Sequence, residues 1–152
     1  MKEYTIDTLI PHKGRMRLID QILSVNQQER SLTSQVQITS QDTFFDDGLG
    51  GVPSYVSFEY MAQSISALAA IMDKRNTPQP GVILSISNLT CTQDIFPEHS
   101  IINVCVKENC VVGDLFTFDC VASIADKTVV TCTLLVMETK SLEELARQGG
   151  GR

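Results

Sequence analysis

The stretch PSYVSFEYMAQSISALAAIM, residues 53–72, decides the fold. Tyr55, Val56, Phe58, Met61, Ile65, Leu68, Ala69 and Met72 spread apolar surface over nearly every face of a 3.6-residue period, so the helix must be wrapped by other elements. Glu59 is the one formally charged side chain between Asp47 and Asp73. An ionisable group placed there is costly unless it is paired or neutral, which makes Glu59 a candidate functional group. The competing reading is a partly exposed carboxylate near a helix start, where the dipole tolerates it.

The flanks set the limits of this helix at about 54–73. Pro53 and Ser54 make a good entry, with Ser54 as N-cap, and DKRNTPQP at 73–80 makes a polar exit. The preceding QDTFFDDGLGGV (41–52) reads as a loop in which Gly48, Gly50 and Gly51 open backbone conformations closed to other residues. Backbone N–H groups at the helix entry, from Gly51 through Ser54 to Tyr55, could then approach a polarised carbonyl or oxyanion. The alternative is a loop that is merely flexible.

Strand signals lie on both sides. Residues 17–25 and SLTSQVQIT (31–39) read as an antiparallel pair joined by the polar loop 26–30. After the helix, residues 82–96, 101–112, 115–125 and 128–138 are β-branched and partly alternating, and predict four long strands in a meander. A short turn or helix is expected over 4–9, before Pro11, and a short helical turn in the tail 141–152. The whole is an α+β plan in which a curved antiparallel sheet wraps one long central helix.

The chain of 152 residues is expected to form a single domain over 1–152, large enough to bury its own core. With 43% hydrophobic and 20% charged residues and a net charge of -6, it reads as an acidic soluble protein, unsuited to general nucleic-acid binding. MKEYTIDTLIPHK lacks the apolar run of a signal peptide, and a helix holding Glu59, Gln63 and four serines is a poor membrane span, so a cytoplasmic location is expected. Cys91, Cys105, Cys110, Cys120 and Cys132 are odd in number and form no C-x-x-C pair. They are expected to be small core residues rather than disulfides or zinc ligands.

Two motifs carry a family resemblance. IPHKGRMRLID (10–20) and FEYMAQS (58–64) resemble segments of the hotdog-fold 3-hydroxyacyl-(acyl carrier protein) dehydratases. That family's Gly-His-Phe-Pro motif before the helix has no counterpart in FFDDGLGGVPSY (44–55), which contains no histidine. The combination is more similar to the divergent dehydratase-like branch of aryl-polyene and related polyketide-type lipid clusters. The resemblance implies a hotdog fold and dehydration of a 3-hydroxyacyl thioester, carried on the phosphopantetheine of acyl carrier protein, to a trans-2-enoyl thioester. No metal or redox cofactor is implied. It also implies a homodimer, or a hetero-oligomer with another hotdog protein, with active sites at the interface. An acyl thioesterase and a non-catalytic carrier-binding partner subunit remain the rivals.

On this resemblance Glu59 takes the place of the helix carboxylate and would act as acid. His12 replaces the absent loop histidine as base, while Gln63, one helical turn beyond Glu59, would orient the carboxylate, water or substrate. Gly51, Ser54 and Tyr55 would bind the thioester oxygen. Tyr55, Phe58, Met61 and Met72 are candidates to line an acyl tunnel beside the helix. An acidic protein meeting an acidic carrier needs a local basic patch, for which Lys13, Arg15 and Arg17 are the dense cluster and Lys74 with Arg75 a second one. His99 is read as an exposed turn residue, and Asp46 and Asp47 as loop carboxylates, outside alternatives for the acid or base.

Overall fold

The computed structural model describes residues 4–11, 13–73, 81–138, 143–144 and 146–148. The chain runs through α1 (Ile6–Leu9), a 3-10 turn (Gly14–Met16), β1 (Gln21–Asn26), β2 (Ser31–Gln37) and β3 (Gly51–Pro53). A second 3-10 turn (Ser54–Val56) leads into α2 (Ser57–Met72), followed by β4 (Gly81–Cys91), β5 (Ile95–Pro97), β6 (Ile101–Val112), β7 (Leu115–Ile124) and β8 (Lys127–Glu138). Residues 143–144 and 146–148 have helical backbone.

Six strands form one antiparallel sheet in the order β1-β2-β6-β7-β8-β4, and α2 packs on it through β2, β4, β6 and β7. The reason lies in the alternation. Leu32, Ser34 and Val36 of β2, Ile102, Val104 and Val106 of β6, Phe118, Cys120 and Ala122 of β7, and Val130, Cys132, Leu134 and Val136 of β8 are all buried. They form one sheet face of period two, and Met61, Ile65 and Leu68 of α2 join the same core. Buried polar groups in this layer are paired: Ser34 Oγ lies 2.7 Å from Ser64 Oγ, which also meets the Tyr60 carbonyl at 2.8 Å. The long, nearly uncharged helix and the β6-β7-β8 meander are therefore as expected.

Four local expectations need correction. The strand predicted over 17–25 begins only at Gln21, because the Leu18 and Ile19 N–H groups donate to the side chain of Gln63 rather than to another strand. The segment 82–96 is two strands. The first, β4, pairs with β8 at the far edge, since β2 and β7 already occupy both sides of β6; the second, β5, pairs with β3 in a separate two-stranded sheet. Ser54 is not an N-cap: its Oγ contacts Cys91 Sγ at 3.3 Å, and α2 starts after Val56 without a side-chain cap. Of the five cysteines, all in strands, only Cys120 and Cys132 are core residues. They face each other across β7 and β8 beneath Met61, whose Sδ is 3.6 Å from Cys132 Sγ. The Cys132 hydrogen bond and burial together push the Cys120 thiol far up, so it stays protonated. Cys91 and Cys110 are exposed because one lies on an edge strand and the other beyond a bulge in β6.

Candidate active site

Asp46 organises the approach to the helix. Its Oδ1 accepts the Gly48 and Leu49 N–H groups at 2.8 and 3.2 Å, and its backbone forms a bridge with Gly51. This carboxylate is engaged in loop structure, while Asp47 is exposed on the same loop. Gly51 is required by close packing: a Cβ there would lie 2.2 Å from the Phe96 carbonyl oxygen in β5. The small β3-β5 sheet thereby fixes where the chain turns into α2.

The entry amides are only partly available. The Gly51 N–H donates to the Asp46 carbonyl at 3.4 Å and the Ser54 N–H to the Asp94 carbonyl at 2.8 Å. This corrects the picture of a row of open donors, because neither amide is directed at a substrate. Tyr55 follows them with its side chain 69% exposed at the mouth of the helix.

Glu59 sits in the first turn of α2 and is half-buried, as its position on a wrapped helix requires. One turn later Gln63 is fully buried. Its Oε1 accepts the Leu18 and Ile19 N–H groups at 2.8 and 3.3 Å, and its Nε2 donates to the Met16 carbonyl at 2.8 Å and reaches Glu59 Oε1 at 3.5 Å. The amide therefore clamps the stretch after the PHK segment against the helix, with its second donor turned to the carboxylate. Helical spacing disclosed the Glu59–Gln63 neighbourhood. The counterpart at Met16–Ile19, more than forty residues away in sequence, carries no local signal.

His12 lies outside the described residues, as do Lys74 and Arg75. The other three cations are placed. Lys13 Nζ donates to the Asp7 and Ile10 carbonyls, Arg15 donates to the Gln41 carbonyl at 3.3 Å, and Arg17 lies 3.5 Å from the Asp7 carboxylate. They brace the N-terminal segment while Lys13 and Arg15 stay exposed. His99 occupies an exposed turn at φ 73°, with its N–H on the Ile38 carbonyl.

Behind the site, the Tyr60 ring stacks on Phe96 with centroids 6.3 Å apart. Burial, reinforced by Asp42 and Asp20, pushes the Tyr60 phenol up, so it remains a neutral hydroxyl. Asp20 is also raised: burial outweighs the opposing hydrogen bond from the Gln37 N–H, and Asp42 adds to the rise while Arg17 lowers it. No group of His, Cys, Asp and Glu among the described residues is arranged to hold a metal ion. No described helix is long and apolar enough to cross a membrane.

A family model described as ApeP-like, ApeP dehydratase, matches residues 4–147. The chain belongs to the ApeP-like dehydratase family. Membership makes it a protein of hydro-lyase type. Among solved structures, the dehydratase heterocomplex ApeI:P from Xenorhabdus doucetiae is similar at 20% identity and a TM-score of 0.82, covering 95% of this chain and 99% of that one. The hypothetical thioesterase with coenzyme A from Streptococcus pneumoniae TIGR4 gives 10% identity and 0.60 over 78% and 84%. The PaaI protein of the E. coli phenylacetic acid degradation operon gives 12% and 0.59 over 79% and 78%. These likenesses establish the hotdog fold. No curated protein matches the chain in sequence.

Proposed function

We propose that this ApeP-like chain removes water from a 3-hydroxyacyl thioester carried on acyl carrier protein, leaving a trans-2-enoyl thioester. The observation that carries this reading is the pairing of Glu59 with the buried Gln63 clamp in a dehydratase-family chain. His12 takes the C2 proton, the C3–O bond breaks, and protonated Glu59 gives its proton to the departing hydroxyl, which leaves as water. Negative charge builds on the thioester oxygen at the helix entry, where the Tyr55 N–H is the donor assigned to it once Gly51 and Ser54 are engaged elsewhere. Gln63 orients Glu59 and holds the segment that bears the base. Met16, whose carbonyl it binds, is only four residues from His12, a reach of at most about 14 Å of extended chain.

Lys13, Arg15 and Arg17 form the proposed docking patch for the acidic carrier. We further propose a second hotdog subunit seated along β4. That strand lies at the edge of the sheet and exposes Leu84, Ile86 and Leu89, and the matched neighbour is itself described as a heterocomplex.

The test is mass spectrometry of a 3-hydroxyacyl carrier incubated with the wild type, His12→Ala and Glu59→Gln. Loss of 18 Da, about one water, from the acyl carrier in the wild type alone supports the dyad. Release of free acid points to a thioesterase, and binding without turnover points to a partner subunit. An active His12→Ala removes His12 from the mechanism.

A further inference from the structure

Three sulfur atoms meet in the layer between α2 and the sheet. Cys120 of β7 and Cys132 of β8 are direct partners across the antiparallel ladder, and both lie on its buried face. Opposed residues on one face bring their Cβ atoms to about 5 Å, close enough for two short thiol side chains to touch. Met61 reaches them from the helix, and the Cys132 thiol donates to its Sδ at 3.6 Å. Cys120, Cys132 and Met61 are 1%, 5% and 0% exposed. Phe118 and Ala122 flank Cys120 along β7, and Val130 and Leu134 flank Cys132 along β8, so the side chains next to the sulfurs on both strands are hydrocarbon.

Such a donor set is selective. Thiolate and thioether sulfur are soft ligands that favour monovalent copper over hard cations. Among the described residues no His, Asp or Glu joins the two thiols, so the set falls short of the tetrahedral shell that structural zinc takes. Metal–sulfur bonds of about 2.3 Å place two ligands of a trigonal ion roughly 4 Å apart, and the contact between Cys132 and Met61 is already near that spacing. Charge then decides the valence. A net charge in this dry layer is costly, whereas exchanging one thiol proton for one monovalent cation leaves it neutral. Cys132 is the thiol that gives up the proton: the hydrogen bond from Cys120 lowers it against the opposing pull of burial, while the same bond and burial together push Cys120 up.

We propose that Cys120, Cys132 and Met61 form a buried binding site for one Cu(I) ion, which ties α2 to β7 and β8. On binding, the Cys132 proton leaves to solvent, Cys132 becomes a thiolate ligand, and Met61 and Cys120 each donate a sulfur lone pair. The site stands apart from the dehydratase reading, because none of the three residues takes part in the proposed proton transfers. The layer is closed, so the ion enters through local opening between helix and sheet, and the native state gains the binding free energy.

The test uses the full chain, reduced with a phosphine and kept free of oxygen. Cys91→Ser, Cys105→Ser and Cys110→Ser are combined, so that the exposed and half-buried thiols do not compete. Cu(I) is offered against a chromogenic chelator, and X-ray absorption reads the coordination shell. The expected result is one ion per chain with three sulfur neighbours at about 2.3 Å, and a melting temperature that rises with Cu(I) concentration. Met61→Leu, which conserves core volume, should remove one sulfur from the shell and weaken binding at least about tenfold. Cys132→Ala should abolish binding; melting of the metal-free variants verifies that each is folded. Failure of the folded triple-serine protein to take up Cu(I) overturns the inference, as does a sulfur shell that Met61→Leu leaves unchanged. A melting temperature that falls on adding Cu(I) overturns it too, since the ion is then held by thiols of the opened chain rather than by the native layer.

Discussion

The two ends of α2 do different work with the same helical scaffold. At its start, Gln63 is fixed by directional hydrogen bonds to a segment more than forty residues away in sequence and turns its second donor to Glu59. At its end, Ile65, Leu68 and Ala69 present a cavity that makes no directional demand. Polar clamps set atoms to within fractions of an ångström, whereas apolar walls only limit volume. The difference teaches that one helix can carry a position fixed by hydrogen bonds and a loosely filled space at opposite ends, so that the two can be altered separately.

The comparison can be broken most sharply at the first end. Glu59→Gln should lower the dehydration rate by about 10² to 10⁴, the usual contribution of a positioned acid, while leaving the urea unfolding midpoint nearly unchanged. Single-turnover rates set beside urea unfolding measure this, and a lowered midpoint would make Glu59 part of the fold's support as well as of its chemistry. Gln63→Leu should cost about 2 to 4 kcal/mol in urea unfolding, because the half-buried Leu18 N–H and the buried Ile19 N–H lose their acceptor. It should also lower activity in the folded fraction.

At the second end, Arg30→Met should destabilise by about 1 to 3 kcal/mol, since it leaves the enclosed Glu108 carboxylate without its guanidinium. The value lies below that of a fully buried pair because Arg30 itself is partly solvated. Replacing both, Arg30→Met with Glu108→Leu, should restore most of the loss, measured in the same unfolding experiment. The smallest effect concerns Asp20, whose pKa burial raises above 3.8. Its contribution to stability is present below about pH 4 and is lost as pH rises through the raised value. Asp20→Asn should flatten that part of the stability–pH curve, followed by thermal melting between pH 3 and about pH 6.

Much of this molecule was legible from residue patterns. An almost uncharged helix announced itself, and so did β6, β7 and β8, because their periodicities repeat over ten residues or more. The β3-β5 sheet did not: each strand has three residues, too few to carry a period, and Gly51 is explained only by the Phe96 carbonyl that approaches it. The position of β4 beside β8 was equally hidden, since strand order depends on contacts that local sequence does not encode. Within the site, helical spacing disclosed Glu59 with Gln63. The engagement of the Gly51 and Ser54 amides by Asp46 and Asp94 depended on loop geometry that glycine counting cannot supply.

The irregularity of β4 has a consequence for how the chain lives among other proteins. Its pairing with β8 slips twice, between Ile83 and Ser85 and between Ser87 and Thr90, and Asn88 adopts φ 53°. A strand bent in this way is a poor template for a flat ladder, so the eleven-residue edge is guarded against recruitment into fibrils despite its apolar side chains. Only a neighbour whose own backbone bends to match can lie along it, so these two slips act as a filter on the company the protein keeps.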